Sequence, residues 1–220
     1  MTFTSKTMKF IFRTDASLEI GTGHVMRCLT LANKLKDKGG QIQFLCRLHC
    51  GNLIEVIQKS GFEVLVLSSK SKMVQKSGFT VSQDISNYAH WLGCSWQTDA
   101  RQSLALIKEY VDWIIVDHYG LDHRWETALR KKCHKIMCID DLANRIHNCD
   151  LLLDQNLGRT TNDYKSLVPI HSIQILGPHY ALLRPEFSKW RNISLERRQD
   201  AKLCHFLYCL ELGLLFAIIN

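Results

Sequence analysis

A chain of 220 residues is enough for one large domain or two small ones, and 46% hydrophobic with 22% charged residues is an ordinary globular composition. Collagen, disordered tails and polytopic membrane proteins are excluded. The net charge of +7 is dispersed and interleaved with acidic residues, which admits an anionic ligand and argues against nucleic acid as a partner.

Residues 9–13 read as a short strand, closed by polar Thr14-Asp15. Residues 23–38 carry Val25, Leu29, Leu31, Ala32 and Leu35 near helical spacing and stop at Gly39-Gly40. A second strand follows over 41–46, a second helix over 52–59 and a third strand over 62–67. Periodicity fails over 68–98, which predicts a lid, an insertion or a partly helical excursion. Helix 99–110, strand 113–116, helix 122–132, strand 135–139 and a short apolar strand at 151–153 restore the alternation. Near-continuous apolar strands separated by helices predict an α/β fold, a Rossmann-like parallel sheet covered on both faces with right-handed crossovers. No internal repeat is present. The three prolines, Pro169, Pro178 and Pro185, crowd into seventeen residues.

The nine cysteines include no C-x-x-C pair, and most sit in apolar runs such as Lys135-Ile136-Met137-Cys138-Ile139. Thiols used as small hydrophobes suit a reducing cytoplasm. Neighbours such as Cys133-His134 and His147/Cys149 match no standard ligand spacing, so no metal is expected. The N-terminus has no long apolar core of a secretory signal.

In parallel sheets ligands bind at the carboxyl ends of strands, which selects three clusters. The first is Arg13-Thr14-Asp15-Ala16-Ser17 with Ile20-Gly21-Thr22-Gly23-His24, opening a helix that carries Arg27. Its glycines admit close backbone approach, and a helix N-terminus offers N–H groups to phosphate. The loop is neither G-x-G-x-x-G nor a Walker A sequence. His24 has two readings: a structural imidazole bonded to a loop carbonyl, or a general base oriented by Asp15. The second cluster is Asp117-His118-Tyr119-Gly120, which could equally be a capped loop. The third, Asp140-Asp141 with Asn144-Arg145, reads as structural ion pairing or as part of a site.

Together these residues resemble a known family. Arg13-x-Asp15-x-Ser17, Ile20-Gly21-Thr22-Gly23-His24-Val25-Met26-Arg27-Cys28, Trp91-Leu92-Gly93, Asp117-His118-Tyr119-Gly120 and Asp140-Asp141 are similar, in order, to motifs of the UDP-2,4-diacetamido-2,4,6-trideoxy-β-L-altropyranose hydrolases of pseudaminic acid synthesis. So are Cys149-Asp150-Leu151-Leu152-Leu153-Asp154 and Gly177-Pro178-x-Tyr180-Ala181-Leu182-Leu183-Arg184-Pro185-Glu186-Phe187. The resemblance implies the N-terminal lobe of a two-lobed, GT-B-like enzyme. It implies His24 as the base that activates water, and a pocket shaped by Arg13, Asp15, Gly21, Gly23, Arg27 and Tyr119. A UDP-sugar is the implied partner, with no cofactor and no metal.

The expected organisation is an extension at 1–8, a domain at 9–185, a connector at 186–202 and an apolar tail at 203–220. The tail lacks the strand and glycine-rich turn with which the family's second domain would begin. It reads as a membrane anchor, a packed helix or translation out of frame. Without a second lobe the cleft lacks a wall and most UDP contacts, so this chain is expected to be poorly active or inactive. A glycosyltransferase of the same fold and a non-catalytic binding remnant are the alternative functions.

Overall fold

Alternate residues of β1 (Lys9–Thr14), the run Lys-Phe-Ile-Phe-Arg-Thr, enter two different cores, and that alternation organises the molecule. The computed structural model describes residues 7–68 and 88–198, with the backbone of two short strands at 206–208 and 217–219. The further elements are α1 (Gly23–Asp37), β2 (Gln41–Arg47), α2 (Ile54–Lys59), β3 (Glu63–Leu67), α3 (Trp96–Leu106) and β4 (Val111–Asp117). After them come α4 (His123–Leu129), β5 (Cys133–Ile139), β6 (Leu151–Asp154), β7 (Ile173–Leu176) and α5 (Pro185–Arg197). The segments β8 (Phe206–Tyr208) and β9 (Ala217–Ile219) pair antiparallel with each other.

Strands β1 to β7 form one parallel sheet in the order β3-β2-β1-β4-β5-β6-β7, a Rossmann-like α/β fold. On one face Phe10, Phe12, Phe44, Ile115, Met137 and Leu153 pack under α1 and α2 through Val25, Cys28, Leu29, Ala32 and Ile57. Phe12 and Phe44 stack at 5.1 Å between centroids. On the other face Ile11, Leu45, Ile114, Val116, Ile136 and Leu152 pack under α3 and α4 through Ala100, Trp125 and Leu129. The strand order reverses between β1 and β4, where Thr14 pairs with Asp117. Successive connections diverge to opposite faces at that point and leave a crevice at the strand ends.

Several boundaries differ from those the sequence predicts. Helix α3 begins at Trp96 because Ser95 caps it, its hydroxyl accepting the Thr98 N–H at 3.2 Å. The helix expected over 122–132 ends at Leu129 and tightens into a 3-10 turn, Arg130–Lys132. Strand β7 was not expected, and α5 occupies most of the stretch read as a connector. The part of the 68–98 excursion at 69–87 lies outside the described residues; a 3-10 turn, Ala89–Leu92, follows it. Most of the 203–220 tail also lies outside them. Among the described residues no helix is long and apolar enough to cross a membrane, and the seven cysteines are unbridged.

Candidate active site

The loop after β1 is held by its own backbone: Gly21 N–H donates to the Ser17 carbonyl at 2.9 Å, with Gly21 at φ +76°. Thr22 stands at the N-cap position of α1 without a side-chain capping bond, and the first turn of that helix carries His24. A side chain at Gly21 or Gly23 would meet nothing within 4 Å, so the loop opens onto free space there.

His24 is 8% exposed, and its Nδ1 lies 2.6 Å from Asp117 Oδ1 at the end of β4. A carboxylate at that distance takes the Nδ1 hydrogen, which leaves Nε2 as the ring's acceptor. Arg27, one turn further along α1, donates to the same carboxylate through Nε and Nη2, both at 2.6 Å. Its Nη1 reaches Asp141 Oδ2. Asp141 Oδ2 also accepts the Tyr119 hydroxyl at 2.6 Å, and the Tyr119 ring meets His24 edge-on at 4.5 Å. A closed circuit therefore runs His24, Asp117, Arg27, Asp141, Tyr119 and back to His24. Trp91 stacks on Tyr119 at 5.8 Å and extends the aromatic wall. Burial works against the charge on Asp117, yet His24 and Arg27 hold its carboxyl well below the usual range. Burial and Asp141 push the Tyr119 phenol upward, so it stays a hydrogen-bond donor.

Arg13 and Asp15 lie beneath this circuit, at 0% and 1% exposure. Arg13 bridges Asp15 at 2.7 Å and Asp99 at 2.8 Å, and Arg47 closes on Asp99 at 2.6 Å. Two guanidinium groups thus neutralise two carboxylates, and Trp125 Nε1 donates to Asp99 at 2.8 Å. The expectation that Asp15 orients His24 is corrected: Asp117 does. The pleat is the reason. Asp117 shares the face of Trp113 and Ile115 beneath α1, whereas Asp15 follows Ile11 and Arg13 onto the α3 face and meets His118 at 3.3 Å.

The remaining predicted positions divide cleanly. Gly21, Gly23, His24, Arg27 and Tyr119 gather at the crevice; Arg13 and Asp15 support its floor. Of the acidic pair, Asp140 is sealed against Arg145 at 2.6 Å and Tyr164 at 2.9 Å, and only Asp141 enters the circuit. Sequence reasoning missed Asp117 as the partner of His24, although its place at a strand end was the available signal. Elsewhere, Glu126, Cys138 and His147 bring ligand-type atoms within 4.8 Å of one another, a grouping no sequence spacing announces.

No known family profile matches the chain. It is 31% identical over 199 residues to the UDP-2,4-diacetamido-2,4,6-trideoxy-beta-L-altropyranose hydrolase of Campylobacter jejuni, across 90% of this chain and 60% of that protein. It is 27% identical over 205 residues to an uncharacterised protein of Methanocaldococcus jannaschii, across 91% of this chain and 36% of the other. The first of these matches relates the chain to the family of the Campylobacter UDP-sugar hydrolase, of whose length it spans 60%.

Proposed function

We propose that this chain carries the base-bearing half of a nucleotide-sugar hydrolase that removes UDP from a 2,4-diacetamido-2,4,6-trideoxy hexose, as in pseudaminic acid synthesis. The observation that carries the reading is the His24–Asp117 pair at the point where the strand order reverses. Water attacks the anomeric carbon and gives its proton to His24 Nε2. The new C–O bond forms as the bond to the diphosphate oxygen breaks, its electrons leave with UDP, and configuration inverts. Asp117 balances the imidazolium that results. A diphosphate leaves readily without protonation, so the second carboxylic acid of ordinary glycoside hydrolysis has no task here.

In this reading Gly21 and Gly23 let the substrate approach the start of α1, and Tyr119 forms one wall of the sugar site. Arg27 acts through its carboxylate partners, since Nε, Nη1 and Nη2 are all engaged. Arg13 and Asp15 act by fixing the end of β1.

Titration calorimetry with the UDP-sugar and with UDP, followed by an assay for free sugar, tests the proposal. Binding of the UDP-sugar is expected, and any release of free sugar should fall at least ~100-fold in His24→Asn. Silence towards both ligands, or unchanged turnover in His24→Asn, overturns it. Transfer of the sugar to an added acceptor in place of water would identify a glycosyltransferase instead.

A further inference from the structure

On the opposite face of the sheet from His24, three buried side chains of different chemistry converge. Glu126 comes from α4, Cys138 from β5 and His147 from the segment leading into β6, and none exceeds 3% exposure. His147 Nδ1 lies 2.7 Å and Cys138 Sγ 3.1 Å from one oxygen, Glu126 Oε1. The other carboxylate oxygen is held by the Asn148 backbone N–H, so Oε1 is fixed at the centre of the group. Cys149, also fully buried, directs its thiol to Ser172 Oγ at 3.5 Å.

We propose that Glu126, Cys138 and His147 form a three-donor zinc site that ties α4 to β5 and the segment leading into β6. Ligand bonds of about 2.0 Å from nitrogen and oxygen and about 2.3 Å from sulfur set tetrahedral edges of roughly 3.3–3.5 Å. Reaching them from 2.7 and 3.1 Å requires the donors to separate by well under 1 Å. A mixed nitrogen, oxygen and sulfur set selects zinc over magnesium or calcium, which prefer oxygen alone. One carboxylate and one thiolate offset both charges of the ion, so the three donors with zinc add no net charge to the interior. His147 Nε2, buried and unpartnered, lies 4.0 Å from Asp140 Oδ2. That is where a ligating imidazole usually directs its other N–H, towards a carboxylate. A site assembled from three separate elements fills as the chain folds.

The test uses the full chain, unfolded with chelator and refolded with Co²⁺. Thiolate-to-cobalt charge-transfer absorption is expected at one equivalent per chain, displaced by Zn²⁺. The absorption should vanish in Cys138→Val, a change that nearly conserves volume and whose fold is checked by circular dichroism, and persist in Cys50→Ser, which removes an exposed thiol. Zn²⁺ should raise the Tm of the parent chain and not that of Cys138→Val. Absence of the band in the parent chain, or its survival in Cys138→Val, overturns the proposal.

Discussion

A carboxylate removed from water needs matched partners, and Asp117 has an imidazole and a guanidinium that meet both of its oxygens. Its charge serves two ends, since it selects the Nδ1–H form of His24 and fixes the head of Arg27. Asp117→Asn nearly preserves shape but removes the charge, and it can present an amide N–H to Nδ1, which favours the wrong imidazole form. If the chain turns over the proposed UDP-sugar, a fall in kcat on the order of 10²–10⁴-fold is expected with little change in KM, because the loss falls on the proton transfer. The pH profile of the residual activity should shift, a response that loss of packing alone would not produce. Equal changes in KM and kcat with an unshifted profile would show that Asp117 acts only in folding. Sequence reasoning placed His24 at the mouth of the crevice and chose the wrong aspartate. The two candidates lie at neighbouring strand ends, and only the pleat decides which one faces α1.

At the level of elements, two glycines at the crevice behave oppositely. A Cβ at Gly120 would stand 2.9 Å from the Tyr88 carbonyl oxygen and 3.0 Å from His118 Cε1, so Gly120→Ala must push the 88–92 segment outward. That should cost about 1–3 kcal/mol of stability, read as a lower Tm. Gly23 has ordinary φ at the start of α1 and nothing within 4 Å of the added atom, so Gly23→Ala should leave stability within about 1 kcal/mol or raise it. If the substrate occupies that open space, the same variant loses UDP-sugar affinity while keeping its Tm. Retained affinity would place the ligand elsewhere. The strands and first helices were legible because apolar runs of Val, Ile, Leu and Phe alternate with helical spacing. Strand β7 was not, since Ile173-Gln174-Ile175-Leu176 is short and set among prolines; α5 was missed because its thirteen residues bury no side chain and so carry no clear apolar stripe.

Across the whole molecule, the floor of the crevice makes stability depend on pH in a defined order. Asp15, Asp99 and Asp117 are buried, which alone would raise them, but Arg13, Arg47, Arg27 and His24 hold all three below the ordinary carboxylate range. A carboxyl depressed in the folded state contributes stability that is complete above the unfolded value of about 4 and lost as pH falls through the folded one. His118 loses its affinity for protons chiefly through burial, despite Asp15 at 3.3 Å. Its neutral form is therefore favoured by folding, and its contribution is complete above about pH 6.5 and erodes below it. Unfolding temperatures measured from pH 8 to pH 2 should thus decline gently between about 6.5 and 4, then steeply below 4 as the paired carboxylates are protonated. His118→Gln can still donate towards Asp15 but cannot titrate, so it should flatten the gentle limb and leave the steep one. An unchanged gentle limb in that variant would assign it to another group, and a flat profile below pH 4 would mean that the aspartate–arginine floor does not hold the folded state together.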